Sequence, residues 1–449
     1  MGSLTSSTAF LEAPASPKLL AAPEYGRPRR AAHGLLISFT GSLTSPSAFG
    51  HQVGQPLNMG GPSDEPLMED KQLLYSEGAR PYEPSRKVLG LVFTISLTTL
   101  AALSALQALV SHITDHYSAT TYEVVVGLLM VSAFPAALLQ FKFDASYDAR
   151  YGLRDAAAFR LVVSCLVQSA CCVALVWQEA SILYASSFLI GLATWISNGT
   201  LNSLCVAVAP RASIYQGLGF QVANLASYAV IYVTEEDGWA LLWWVFAAPP
   251  LVGLAASAAF LGDGAVSRAL EDYAEPRRST TVLEDVERMP PTIKRMFAVE
   301  ALSLTVSVIA VGATSFYDDE GDYLGTSLAT VLYISFTLGN VGSRLVALVV
   351  PVPEDRVLLL GSAARAALTP LLFLGSDLST SYDLYVTLFF FFFALVGGVL
   401  IQIPFLVPKA TCDPADVVLA SRFITLAQGA GLTIGGVVDV AVALGLLYG

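Results

Sequence analysis

The chain has 449 residues, 54% of them hydrophobic and 13% charged, where an ordinary globular chain is about 25% charged. Its mean hydropathy of +0.62 is too high for a water-facing surface, which excludes a soluble enzyme. The net charge of -12 also excludes a nucleic-acid binder, because phosphate backbones are held by basic surfaces.

Residues 1–86 are rich in Ser, Pro, Gly and Ala and have no sustained helical period. Such a composition predicts a disordered N-terminal tail, placed on the cytoplasmic side by the charges discussed below. The patch Gly34 to Phe39 after Arg29-Arg30 faintly resembles a signal sequence, but its apolar core is too short and too far from Met1. Within the tail, Glu69-Asp70-Lys71-Gln72-Leu73-Leu74 has the spacing of an acidic dileucine sorting signal, a pattern that also arises by chance.

Apolar blocks about 20 residues long, the length a helix needs to cross a bilayer, begin after Pro84. They predict spans near 88–111, 122–140, 159–177, 181–209, 214–233, 239–262, 297–316, 324–349, 357–375, 383–407 and 416–448. The polar segment 263–296 is the one long connection and divides them into six and five. The expected fold is therefore an all-α polytopic membrane protein. Transmembrane helices 1–6 lie in 87–262, a cytoplasmic loop in 263–296, and helices 7–11 in 297–449.

Charge distribution tests the odd count. With the tail cytoplasmic, the inner loops near 141–158, 210–213, 263–296, 350–356 and 408–415 carry Lys142, Arg150, Arg154, Arg211, Arg268, Arg277, Arg278, Arg288, Lys294, Arg295, Arg356 and Lys409. The outer loops carry carboxylates, Asp318, Asp319 and Glu320 among them, and neither Lys nor Arg. This asymmetry predicts a cytoplasmic N-terminus and an external or luminal C-terminus.

Cys165, Cys171, Cys172 and Cys205 lie in apolar blocks, and Cys412 in a short loop. Their spacing suggests neither a zinc site nor a disulfide framework, and the four histidines suggest no metal site. No cofactor is expected, and the absence of a P-loop argues against direct ATP drive.

Polar residues inside a span cost energy and so point to function. Phe336, Asn340 and Arg344 fall at i, i+4, i+8 in the eighth block, one stripe down a helix face. An aromatic ring, an amide and a guanidinium in register suit a planar, hydrogen-bonding solute. The bland alternative has Arg344 snorkelling to headgroups while Asn340 bonds a neighbouring helix. Arg365 lies deep in the ninth block, with Pro370 five residues on; a structural or gating role is expected, with Glu300, Asp439 or carbonyls freed near Pro370 as partners. Asn198, Asn202, Gln216, Gln221 and Asn224 in blocks four and five, with Gln107, Gln402 and Gln428, spread amides over five spans. Interhelical hydrogen bonding is the bland reading of such amides, but their spread implies a wet central path more than a handful of helix locks. Asn198-Gly199-Thr200 is a glycosylation sequon inside a span, expected to be unused.

Three segments together resemble the equilibrative nucleoside transporter family. Phe336 to Arg344 reads Phe-Thr-Leu-Gly-Asn-Val-Gly-Ser-Arg where the family carries Phe-Asn-x-x-Asp-x-x-Gly-Arg. Arg365 and Pro370 match its ninth span. Gly397-Gly398, Pro408-Lys409, Asp413 to Asp416 and the glycines from 429 to 436 match its C-terminal segments. The resemblance covers roughly 88–449 and implies a 6+5 pseudo-symmetric, major-facilitator-like arrangement. It also implies substrate contacts from Asn340 and Arg344. Thr337, Asn340 and Ser343 depart from the motif, and Ala105-Leu106-Gln107 replaces the family's Pro-Trp-Asn. An amide at 340 still bonds a ribose or base, but it neither carries a proton nor pairs ionically with Arg344.

The expected function is transport of nucleosides or nucleobases by alternating access, with facilitated diffusion and proton coupling both open. The expected substrate-binding residues are Phe336, Asn340, Arg344, Asn198, Asn202, Gln221 and Gln107, with Arg365 and Pro370 as gating or structural residues. The expected membrane is the plasma membrane, with an endolysosomal membrane as the alternative. Two other readings compete. One is a major-facilitator carrier of another polar solute, which Asp148 to Arg154 resembles in its loop motif. The other is a membrane receptor or scaffold that transports nothing.

Overall fold

A computed structural model describes residues 84–109, 112–113, 116–234, 238–271, 282–317, 322–323, 326–374 and 383–448. Residues 1–83 of the expected tail, including its dileucine-like segment, lie outside the described residues, and the tail's last residue, Arg86, already belongs to the first helix. Apolar sequence, whose backbone groups lipid leaves to be satisfied within a helix, forms α1 (Arg86–Ala108), α2 (Ala119–Val131 continued by Ala133–Tyr151), α3 (Leu153–Ala174), α4 (Ala180–Val208), α5 (Ala212–Thr234) and α6 (Trp239–Leu261). After two short helices, Gly264–Glu271 and Val282–Arg288, follow α7 (Pro291–Gly312), α8 (Leu328–Val349), α9 (Asp355–Leu368), α10 (Asp383–Gln402) and α11 (Val417–Tyr448). A two-residue pairing, Asp322↔Ser327 and Tyr323↔Thr326, lies between α7 and α8.

Local chemistry sets the ends. Ser85 Oγ accepts from the Val88 amide at 3.3 Å and Ser118 Oγ from the Thr121 amide at 3.0 Å, each satisfying one orphan donor of a first turn. Pro291 opens α7, where its missing N–H is no loss. The expected loop 141–158 is a correction: α2 runs on to Tyr151 and α3 restarts at Leu153, with only Gly152 between them at φ +82°. A residue without Cβ adopts that backbone freely. Of the polar residues that suggested a loop, Asp144 and Asp148 turn inward, while Lys142, Arg150, Arg154 and Asp155 stay exposed. The expected polar segment 263–296 likewise contains the two short helices and the first turns of α7.

Ten helices among the described residues are long and apolar enough to cross a membrane. The remaining long helix, α5, carries Gln216, Gln221 and Asn224. Large apolar side chains such as Phe159, Leu166, Trp244, Leu251 and Phe392 are exposed, while Asn198, Gln216, Asn340 and Arg344 are buried. That inversion of the water-soluble pattern is what a lipid solvent demands.

The packing repeats itself. In the first half α1 packs most extensively on α5, and in the second half α7 does so on α11. Likewise α2 meets α4, and α8 meets α10. Between the halves α11 packs along α2, and α5 along α8. Each of these pairings maps onto another by a shift of six helices, so the bundle is two related halves facing each other. Below, the end holding the α2–α3, α4–α5, α8–α9 and α10–α11 connections is the basic end, and the opposite one the acidic end.

Candidate functional site

Where the halves face each other they leave a cavity of about 160 Å3. The first half supplies Gln107 from α1, Trp195, Asn198 and Asn202 from α4, and Gln216, Phe220, Gln221 and Asn224 from α5. The second half supplies Ser307 from α7, Tyr333, Phe336, Asn340 and Arg344 from α8, Gln402 from α10, and Gln428 and Asp439 from α11. All seven residues expected to bind substrate line this one cavity. Helical spacing brings them there: Asn198 and Asn202, like Phe336, Asn340 and Arg344, repeat every fourth residue.

Several amides are tied to one another across the halves. Gln428 Oε1 accepts from Asn198 Nδ2 at 3.1 Å and from Asn202 Nδ2 at 3.4 Å, joining α4 to α11. Gln402 Nε2 donates to Ser213 Oγ at 3.0 Å, joining α10 to α5. Within the first half, Gln216 Nε2 donates to the Asn198 side-chain oxygen at 2.9 Å, and Ser104 Oγ to Asn224 Oδ1 at 2.6 Å. Asn198 is thus buried and bonded inside the bundle, where no glycosylation machinery reaches its sequon. Aromatic rings complete the walls, with Tyr228 against Tyr333 at 4.7 Å and Trp195 against Phe220 at 6.4 Å between centroids.

Arg344 faces this cavity and does not reach the helix end as a snorkelling side chain would. It is 5% exposed, and its Nη1 donates to the Gly398 carbonyl at 2.6 Å. A Cβ at Gly217 would fall 2.9 Å from Arg344 Nε, so a bare backbone on α5 makes the room. Gly398 plays a second such part: a Cβ there would meet Asn340 Oδ1 at 2.9 Å and run into Ser343 Oγ. Close approach of α10 to α8 therefore needs glycine at this position.

The partners expected for Arg365 need correcting. Neither Glu300, nor Asp439, nor a carbonyl near Pro370 holds it. Its Nη1 donates to Ser303 O at 2.8 Å, its Nε to Phe393 O at 3.1 Å and its Nη2 to Ser307 Oγ at 3.0 Å. The guanidinium also lies 4.3 Å from the centroid of the Phe393 ring. Gly397 opens the space, since a Cβ there would overlap the guanidinium. Arg365 fastens α9 to α7 and α10 behind the cavity wall, and Pro370 lies in the exposed break before the helical turn Leu371–Leu374.

Two features escaped the sequence reading. Trp195, Phe220, Tyr333 and Phe405 line the cavity, but aromatic residues in apolar blocks look the same whether they face a core or a ligand. The second feature is a four-residue ion network at the basic end. Asp148 pairs with Arg422 of α11 and, at 2.7 Å, with Arg160 of α3. Asp144 pairs with Arg160 and lies 3.9 Å from Arg422. These side chains are 3–12% exposed, and their formal charges cancel. The network ties the first half to the second between the cavity and the basic end. Arg422 was detectable by the reasoning applied to Arg365, as a charge inside an apolar block.

Outside the spanning helices, the Lys409 ammonium donates to Val208 O at 3.4 Å, setting a cation at the C-terminus of α4, where the helix dipole favours it. Burial shifts that ammonium's pKa down and pushes the Cys412 thiol up to about 11.

Neither a protein-family model nor any curated protein matches the sequence. Solved structures do match. One is the major facilitator superfamily proton:xylose symporter XylE bound to 6-bromo-6-deoxy-D-glucose, with a TM-score of 0.52 at 11% identity over 81% of this chain and 95% of that one. Another is the human organic anion transporter MFSD10 (TETRAN), with a TM-score of 0.54 at 13% identity over 80% and 94%. The chain has the major facilitator fold. Its repeated halves and the cavity between them are the arrangement of that fold, in a multi-pass integral membrane protein.

Proposed function

We propose that the chain is a carrier that moves nucleosides or nucleobases across a membrane by alternating access of its two halves. The observation that carries this reading is the cavity between the halves, in which amides, aromatic rings and one guanidinium converge. Rings offer stacking faces and amides offer paired donors and acceptors, the complement of a heterocyclic base with its ribose. The resemblance around Phe336 to Arg344 supports the same substrate class. All the helices from α1 to α11, α5 included, cross the bilayer in this reading, with the basic end cytoplasmic, an orientation that the Lys and Arg distribution supports.

Uptake of radiolabelled adenosine and uridine by cells lacking their own carriers tests the proposal. Uptake above control is expected; none for any nucleoside or base, with the protein at the cell surface, refutes it. The second reading is a carrier of another polar solute. It is favoured by the likeness to XylE and to the organic anion transporter, because amides also suit hydroxyl-rich sugars and Arg344 suits an anion. Competition by xylose or an organic anion, and not by uridine, selects it.

A further inference from the structure

Glu300 is the most enclosed carboxylate among the described residues of the bundle. It lies on α7 at 0% exposure, one turn from Leu304, which lines the cavity. Among the described residues, neither of its oxygens has a hydrogen-bond partner. Arg344 is the charged group whose field reaches it, and Glu300 acts on Arg344 in return. Yet the two are not bonded: Arg344 Nε is itself buried without a partner, while Nη1 of the same guanidinium is held by the Gly398 carbonyl.

The surrounding elements leave this pair to itself. From α9, Arg365 is committed to Ser303, Ser307 and Phe393, Ser362 is bonded to Ser303 Oγ at 2.9 Å, and Arg356 is exposed. Between Tyr385 and Lys409, α10 and the turn after it carry no titratable side chain, and Lys409 donates to Val208 O. On α11, Arg422 is held by Asp144 and Asp148, and Asp439 lies near the acidic end. On α7 itself, Arg295 pairs with Asp355 at 2.5 Å and Lys294 donates to Glu287 O at 3.1 Å. A buried carboxyl with no donor is tolerated when it carries a proton, and becomes stable as an anion when a cation closes on it.

We propose that Glu300 is the proton-carrying residue of the transport cycle, protonated while Arg344 holds the Gly398 carbonyl and ionised when Arg344 turns its free Nε toward it. The proton enters from the cavity. When the guanidinium displaces it, the proton leaves by the same cavity once that opens to the other face. Solute bound at Arg344 and the charge on Glu300 then compete for one guanidinium, which links solute movement to proton movement.

This inference rests on the carrier reading, and the tests keep the two apart. In proteoliposomes, exchange of radiolabelled adenosine at equal pH reports carriage alone. With the membrane potential clamped at zero, one proton per solute gives up to about tenfold accumulation per unit of imposed pH gradient. Glu300→Gln is expected to keep exchange and lose that accumulation. Exchange by the wild type without any response to the gradient overturns the proposal, and so does undiminished accumulation by Glu300→Gln. Infrared difference spectra of the solubilised full chain between acid and neutral pH need no solute. A protonated-carboxyl band is expected that Glu300→Gln removes and Asp439→Asn retains. A band unchanged by Glu300→Gln overturns the proposal even if adenosine is never carried.

Discussion

Arg422→Gln tests whether the ion network at the basic end holds the two halves closed. The substitution leaves Asp144 and Asp148 sharing the one charge of Arg160, so a neutral buried group becomes a net anion. Removing one partner from a buried ion pair costs roughly 3–5 kcal/mol. Arg422 is 3% exposed and touches both aspartates, so the cost belongs in that range while the basic end stays shut. Opening that end lets water reach the aspartates, and the cost falls mainly on the closed state. Each ~1.4 kcal/mol is a factor of ten, so the closed-to-open ratio is expected to fall by ~10^2 or more. Ser421 reports this directly: it is fully buried beside Arg422, and its hydroxyl has no partner. Ser421→Cys in a Cys412→Ser background, labelled with an impermeant maleimide from the basic-end side, is expected to react at least about tenfold faster once Arg422→Gln is added. Adding Asp148→Asn as well is expected to recover part of the difference, because the unpaired charge is gone. Equal labelling rates with and without Arg422→Gln, in protein that still elutes as a folded monodisperse peak, refute the reasoning.

Other residues give further expectations. Arg344→Ala is expected to abolish uptake at normal surface expression, because it removes the one guanidinium in the cavity and leaves Glu300 without its counter-charge; transport at the wild-type rate refutes that role. Gly398→Ala forces a methyl onto Ser343 and Asn340 and is expected to cost ~1–3 kcal/mol, read as a lower unfolding temperature than that of Gly361→Ala, whose Cβ has ordinary room. Cys412, with its pKa raised to about 11 by burial and by the neighbouring Asp416 and Asp413, is protonated at neutral pH. Its maleimide rate is expected to climb about tenfold per pH unit through pH 10, and a plateau near pH 9 would show an ordinary thiol.

What could be read in advance follows from the range of the interactions. The stripe Phe336, Asn340 and Arg344 was legible because helix geometry fixes which face residues share, and all three line the cavity. The amides of α4 and α5 were legible for the same reason. The continuation of α2 through Asp144 and Asp148 was not, because charges near the end of an apolar block read as a loop until their partners are known. One of those partners, Arg422, stands 274 residues further on. Arg365 shows another limit: its partners are chiefly backbone carbonyls and a ring face, and carbonyls leave no trace in residue identity. Only Gly397, the small residue that lets the guanidinium in, hinted at the place.

If the chain is the carrier proposed above, the two kinds of contact between the halves have different parts in alternating access. At the basic end the halves are joined by buried charges, whose separation costs several kcal/mol while the site stays dry. Around the cavity they are joined by amides: Asn198 and Asn202 on Gln428, and Gln402 on Ser213. Interhelical hydrogen bonds of this kind average only ~0.6 kcal/mol in a membrane protein. A solute with its own donors and acceptors replaces such bonds at little net loss, because each amide exchanges one neutral partner for another. It cannot replace the ionic contacts, which change only when the halves themselves move. A network that resists opening, beside a set of weak bonds that a solute can take over, lets binding alter the cavity while leaving the choice of open end to the charged residues. On this argument, substitutions among the amides change how strongly a solute is held, and substitutions at Asp144, Asp148, Arg160 or Arg422 change which end of the cavity is open.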